Sequence, residues 1–169
     1  IVFPNNGNVI LAAQQAAELY KEADVRVLEC KTIGEGYAAL TMIDLSQDNP
    51  DDVMEGLREA MDGVKTGMVT HAVRDAQMNG VTVHTGDTIG IIGKEIVVSN
   101  EDRLTAALAL AANLLALPDK FMLTVFGGKD ATEDDRTALG AQLAESCPSA
   151  EVYFIDGGQD IYPFIFVAE

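Results

Sequence analysis

Three consecutive segments near the end of the chain constrain its fold more than anything else in it. FMLTVF at 121–126 and EVYFID at 151–156 are apolar runs of strand length, and a helical pattern opens at Thr132 between them. Strand, crossover helix and strand make a βαβ unit, so the two strands are expected parallel in one sheet. Thr132 and Asp135 have the spacing of a capping box, with Asp where Glu or Gln is usual. Leu139, Leu143 and Cys147 form the inward stripe, and Pro148 stops the helix. The final run, IYPFIFVA, reads as one more strand, and Pro163 predicts an edge position or an irregular start for it.

The opening residues repeat that order in outline. IVFP reads as a strand, 8–20 as a helix, DVRVLE at 24–29 as a strand, and a second helix begins near Gly36. Asn49, Pro50, Asp51 and Asp52 then supply an N-cap, a proline at the first helical position and two acids facing the helix dipole. Val53, Leu57, Ala60 and Met61 share one face of this helix, and Gly63 ends it. Residues 101–117 are apolar almost all round, the mark of a central helix packed on both sides. Between the two halves lie two hairpins. Asn79-Gly80 supplies a type I′ turn, and Gly93-Lys94, glycine first, a type II′ turn.

The fold expected is therefore α/β. Two small α/β lobes share a core and are joined by a short antiparallel β-meander. Lobe 1 covers about 1–63, the meander about 65–98 and lobe 2 about 100–169. A chain of 169 residues buries enough surface to fold without metal or disulfide. Twenty-seven acidic against eleven basic residues leave a formal charge of −16, which disfavours nucleic acid and anionic lipid. No apolar run reaches the ~18 residues of a membrane helix. Cys30 and Cys147 form no CxxC pair and read as free thiols of a cytoplasmic protein. The first residue is Ile, with no signal sequence, which reads as the edge of a longer chain.

Catalytic motifs are scarce. GDTIGIIGKE has the wrong glycine spacing for a P-loop and sits in a hairpin. Gly127-Gly128-Lys129 follows a strand and precedes a helix, but no hydroxyl for Mg²⁺ follows and Asp130 stands directly behind, so a turn is expected. His71 and His84 fall on what reads as adjacent strands of one hairpin, without further ligands for zinc. No GxSxG is present. No catalytic residue and no metal site are assigned. The remaining polar groups suit recognition or plain architecture. Asn5 and Asn6, with Asn8, are placed to cap a helix. Lys65-Thr66 and Arg74-Asp75 bracket a hydrophobic strand, where ion pairs within the meander explain them as well as a ligand would. Gly157-Gly158-Gln159 follows a strand end where open α/β sheets receive ligands.

Taken in order, PNNGNVILAAQQAA, KTIGEGYAAL, VKTGMVTHAVRD, GDTIGII and the terminal GGQDIYPFIFVAE resemble the C-terminal region of the bacterial dihydroxyacetone-kinase-like fusion proteins, the fatty acid kinase A family. The resemblance covers nearly the whole chain. It departs at Gly34-Glu35, where the family more often has Pro-Gln, and at Asp160, where Pro is usual. The resemblance implies an N-terminal kinase domain holding ATP and Mg²⁺, a middle domain, and this non-catalytic C-terminal domain without a cofactor of its own. It also implies a partner, a fatty-acid-binding carrier of the fatty acid kinase B type, whose bound acyl group is phosphorylated. Two alternatives stand beside carrier docking. One is a small anionic or acyl ligand held between the lobes near Asn5, Asn6, Lys65 and Gly157-Gly158-Gln159. The other is a homodimer formed through the meander. Arg74 and Tyr162 are the first candidates for a docking face.

Overall fold

The computed structural model describes residues 1–169. The chain is mixed α/β and divides into two compact units, Ile1–Val64 and Lys65–Glu169.

The first unit is mostly helical. Its helices are α1 (Ile10–Leu19), α2 (Ile33–Thr41) and α3 (Pro50–Asp62). The two segments expected as strands meet only through one parallel bridge, Val2 to Val27. Leu28, Ala39, Val53, Met54 and Leu57 form its core, so α2 and α3 pack on the 25–30 segment. α3 begins as its sequence dictates: the Asn49 side chain accepts from the Asp51 amide, and Pro50 takes the first turn. α2 starts three residues earlier than expected. Thr32 and Glu35 make a full capping box, which allows Gly34 and Gly36 to sit buried inside the helix. The expectation for α1 fails at its start. Its N-cap is Val9 and receives no side-chain cap.

The second unit is built on a six-stranded sheet in the order β5-β4-β1-β8-β6-β7. These strands are β1 (Lys65–His71), β4 (Thr88–Ile92), β5 (Glu95–Asn100), β6 (Met122–Gly127), β7 (Glu151–Asp156) and β8 (Phe164–Ala168). Helices α4 (Arg103–Leu115) and α5 (Glu133–Ser146) belong to the same unit. The βαβ unit forms as read: β6 and β7 are parallel, and the Thr132–Asp135 capping box opens α5. The meander is not a separate connector. β1, β4 and β5 hydrogen-bond into the sheet because β1 pairs antiparallel with β8. A small second sheet, β2 (Ala76–Met78) with β3 (Val81–Val83), turns at Asn79-Gly80, both at positive φ as a type I′ turn requires.

β8 is central, not an edge. Every residue of FIFVA is buried, and the strand is flanked by β1 and β6. Pro163 lies just outside it, so the missing N–H interrupts no ladder; the irregular start is what the proline marks. The main core lies around α4 and includes Val69, Leu110, Leu114, Leu123, Val125, Leu139, Phe164 and Phe166. No helix is long and apolar enough to cross a membrane. Both cysteines are free thiols; Cys30 is buried and its thiol is pushed up by that burial, while Cys147 is half-buried.

Candidate functional site

Because β6 and β7 run parallel, the loops that leave them emerge at one end of the sheet. The first, from Gly127 to Thr132, leads into α5; the second, from Asp156 to Pro163, leads into β8. These loops are built against each other. The amides of Gly157 and Gly158 both donate to the Gly127 carbonyl, at 2.9 and 3.0 Å. Gly128 N–H donates to Pro163 O at 2.8 Å, and Lys129 N–H to Gln159 O at 3.0 Å. Gln159 folds its side chain inward, and Nε2 donates to Phe126 O (3.0 Å) and Tyr162 O (2.9 Å). A Cβ on Gly128 would collide with Tyr162 O and lie 2.7 Å from Gln159 O, so only glycine lets the two backbones meet.

This arrangement decides the phosphate question by its own bonds. A phosphate cradle offers free backbone N–H groups to an anion. Here the amides of Gly128, Lys129, Gly157 and Gly158 are all spent on the neighbouring loop. Lys129 Nζ is paired with Asp160 at 2.6 Å, and Arg136 with Asp156. None of these four amides is left to face an anion, and the Gly-Gly-Lys turn is held closed by its neighbour loop. Asp160 gives this turn a charged latch.

The meander loops reach the same end of the unit. Thr70, near the end of β1, donates its hydroxyl to Ile161 O at 3.1 Å. Beyond β1 come Val73, 88% exposed, and Arg74, also exposed; Ile161 across from them is 69% exposed. The structure thus brings Arg74 and its neighbours to the end of the sheet that carries Gly157, Gly158, Gln159 and Tyr162. Arg74 makes no ion pair. The expected pairing of Arg74-Asp75 within the meander is replaced by a turn brace: Asp75 accepts from the Thr85 amide (2.7 Å) and hydroxyl (2.8 Å). The Thr85 hydroxyl, then its amide, hold the Asp75 carboxyl below the usual range.

Asp87 was not singled out in the sequence, yet it organises the next turn. It accepts from the His84 amide and the Ser99 hydroxyl, each at 2.8 Å, and these bonds lower its carboxyl in that order. The histidines do not face each other across one hairpin. His71 pairs with Thr88 of β4, whereas His84 follows β3, because β1 joins the main sheet and not β3.

Lys65 and Thr66 lie at the other end of the sheet. Lys65 pairs with Ala168, while Val69 pairs with Phe164, the first residue after the Asp156–Pro163 loop. Four residues of strand, about 13 Å, separate them. At that separation one small anion cannot touch both Lys65 and Gly157-Gly158-Gln159. Thr66 is buried, and Lys65 is exposed.

In the first unit, Asn5 and Asn6 shape the approach to α1 without capping it. Asn6 Oδ1 accepts from the Asn8 amide at 2.9 Å. Asn5 takes a positive φ of 55° and exchanges bonds with buried Cys30: its amide donates to Sγ at 3.4 Å and Sγ donates to its Oδ1 at 3.3 Å. A Cβ on Gly36 would strike the Asn5 amide group, so the helix glycine makes room for the asparagine. The two residues a docking reading needs most, Val73 and Ile161, were missed. Their signal was a large aliphatic residue inside a polar turn.

The FakA-like C-terminal family model, which describes the C-terminal region of fatty acid kinase A-like proteins, matches residues 1–169. An uncharacterized protein of Staphylococcus haemolyticus is 36% identical over all of this chain, and protein YloV of Bacillus subtilis is 34% identical over 99% of it. The chain spans 30% of the length of each. Among solved structures, the Streptococcus pneumoniae fatty acid kinase B3 protein loaded with linoleic acid matches 99% of this chain and 70% of its own, with a TM-score of 0.63 at 12% identity. The dihydroxyacetone kinase of C. freundii matches 94% of this chain and 35% of its own, with a TM-score of 0.59 at 14% identity. At such identities the likeness is one of fold. The match along every residue, from the asparagine turn to the terminal strand, shows that this chain belongs to the fatty acid kinase A-like C-terminal family.

Proposed function

We propose that this domain recruits a fatty-acid-carrying protein to a kinase whose phosphoryl-transfer chemistry lies elsewhere in a longer polypeptide. The observation that carries this reading is the full-length match to the C-terminal part of a fatty acid kinase family. Relatives of which this chain is only 30% have ample length for a separate catalytic domain with its ATP and Mg²⁺. Phosphoryl transfer needs metal-bound phosphates and groups that position them. The strongest phosphate-like loop here has already spent its amides and its lysine on itself. The domain is thus a non-catalytic module, and its partner is a carrier of the type represented by the linoleic-acid-loaded protein that shares its fold.

The docking face we assign is the end of the second unit that carries Val73, Arg74, Ile161 and Tyr162. Unpaired Arg74 and half-buried Tyr162 are of the residue types enriched at interface hot spots, and Val73 and Ile161 add exposed apolar area beside them. The charge of −16 around it steers a partner with a basic face and sets the rate of encounter. Titration calorimetry of the chain with a fatty-acid-loaded B-type carrier tests this. Binding is expected, weaker at high salt, and Arg74→Ala should weaken it about tenfold with melting unchanged. No binding at about 50 μM in low salt ends the proposal, since steering is strongest there.

A further inference from the structure

The six-stranded sheet has two edges, and they are built differently. β5 is guarded. Its pairing with β4 shifts register between Gly90 and Ile91, and its Ile96 packs against the cluster of Ala72, Val83 and Ile89. β7 has no such guard. EVYFID stays in unbroken register with β6 from Glu151 to Asp156, without the proline, lysine or bulge that keeps a sheet edge from pairing. Tyr153 is 51% exposed and Phe154 37%.

The backbone and one groove say what fits there. The amides of Glu151 and Gly157 donate to the carbonyls of Phe121 and Gly127 at the two ends of β6. Bonding alternates along a paired strand, so Tyr153 and Ile155 also turn toward β6, while Val152, Phe154 and Asp156 turn their N–H and C=O groups outward. No strand lies beyond them. On the α5 side this edge opens into a groove of about 470 Å³. Phe154, Gly140 and Ala141 give it apolar walls, and the Phe154 ring stands 3.4 Å from where a Cβ on Gly140 would be. Asp156 is taken by Arg136, which leaves the exposed carboxylate of Glu133 without a partner at the groove. An apolar stem ending in a cation fills such a groove, and the chain's charge of −16 favours the same sign. We propose that β7 receives an extended, basic segment of a partner protein as a seventh strand, with one of its lysines or arginines reaching past Phe154 to Glu133.

Strand addition draws affinity from main-chain bonds and specificity from alternate side chains, and both are separable by amide hydrogen exchange read by NMR. The probe is a capped eight-residue peptide alternating lysine and valine. In the chain alone, the amides of Val152, Phe154 and Asp156 should exchange faster than those of Tyr153 and Ile155, which bond to β6. Ordering a free peptide offsets most of the gain, so a dissociation constant of about 0.5 mM is expected. At about 2 mM peptide, exchange at the three outward amides should then slow about fivefold. The same peptide methylated on its backbone nitrogens should have no effect, and one alternating threonine and valine should bind more weakly. Glu133→Lys should raise the dissociation constant at least about threefold with melting unchanged, because it places a like charge at the groove. The proposal is overturned if the three amides do not respond, if the methylated peptide protects them equally, or if Glu133→Lys binds as well as the original chain. Protection that grows with protein concentration alone assigns the edge to a second copy and overturns it too. The test uses no carrier protein, so it can fail while carrier recruitment stands, and the reverse.

Discussion

Helices α4 and α1 are written in nearly the same alphabet, RLTAALALAANLL and ILAAQQAAEL, and meet opposite fates. α4 buries Ala106, Ala107, Leu110, Ala111 and Leu114; α1 buries nothing. The difference is in what lies beneath. α4 lies on a six-stranded sheet in which Gly67 and Gly90 open room for its leucines. A Cβ on Gly67 would lie 2.8 Å from Leu114 Cδ1, and one on Gly90 3.1 Å from Leu110 Cβ. Under α1 there is one bridge and the half-buried Val25 and Val27. Apolar content sets how much surface a helix has to bury, and the neighbouring sheet sets how much it does bury.

The comparison breaks first at Leu110. Leu110→Ala removes a fully buried side chain from the main core and should cost about 3 kcal/mol in urea unfolding. A loss under about 1 kcal/mol would mean that α4 collapses onto the glycines and that its packing is loose. A smaller effect is expected at Asp87, where pH is the probe. Its carboxyl titrates lower in the folded chain than in the unfolded one, because the His84 amide and Ser99 hydroxyl favour the anion. Its contribution is therefore fully present above the unfolded value, about 3.9, and is lost as pH falls through the lower folded value. Asp87→Asn should lower the urea midpoint at neutral pH and flatten the acid limb of the stability curve. An unchanged acid limb would remove Asp87 from the account.

Capping supplies a control, since both units use the same device. Thr132 with Asp135 and Thr32 with Glu35 are complete capping boxes. Thr132→Ala and Thr32→Ala should each cost about 1 kcal/mol. Similar losses would show that local helix signals act alike in both units, leaving packing as what separates them. Unequal losses would put part of the difference between α4 and α1 into the caps.

Local signals were the legible part of this chain. Asn79-Gly80, Gly93-Lys94, the Asn49-Pro50 start and the Thr132 box can be read because their chemistry acts within a few residues. Thr32 and Glu35 obeyed the same rule, although the helix they open was expected only from about Gly36. Partners distant in sequence were hidden. Pro163 left β8 either an edge strand or one with an irregular start, and its pairing with β1, which spans most of the second unit, could not be read from it. Gln159 read as a possible ligand group because nothing in GGQD shows that its amide turns back to Phe126. The separation of Lys65 and Gly157 was hidden too, because the β1–β8 register that sets them at opposite ends of the sheet joins residues distant in sequence. The asparagines before α1 had the chemistry of caps, but left-handed Asn5 sends its side chain to Cys30.

The smallest expected effect tests the comparison most directly, because it repeats the largest substitution in the other helix. Leu11 is 64% exposed on α1. Leu11→Ala removes the same atoms as Leu110→Ala, but most of them already face water and no closed cavity forms, so the cost should stay within about 0.5 kcal/mol. Alanine also favours the helix slightly, which offsets part of the lost contact. A loss near that of Leu110→Ala would show that α1 is held as firmly as α4, and the sheet beneath a helix would then not be what sets its share of the stability.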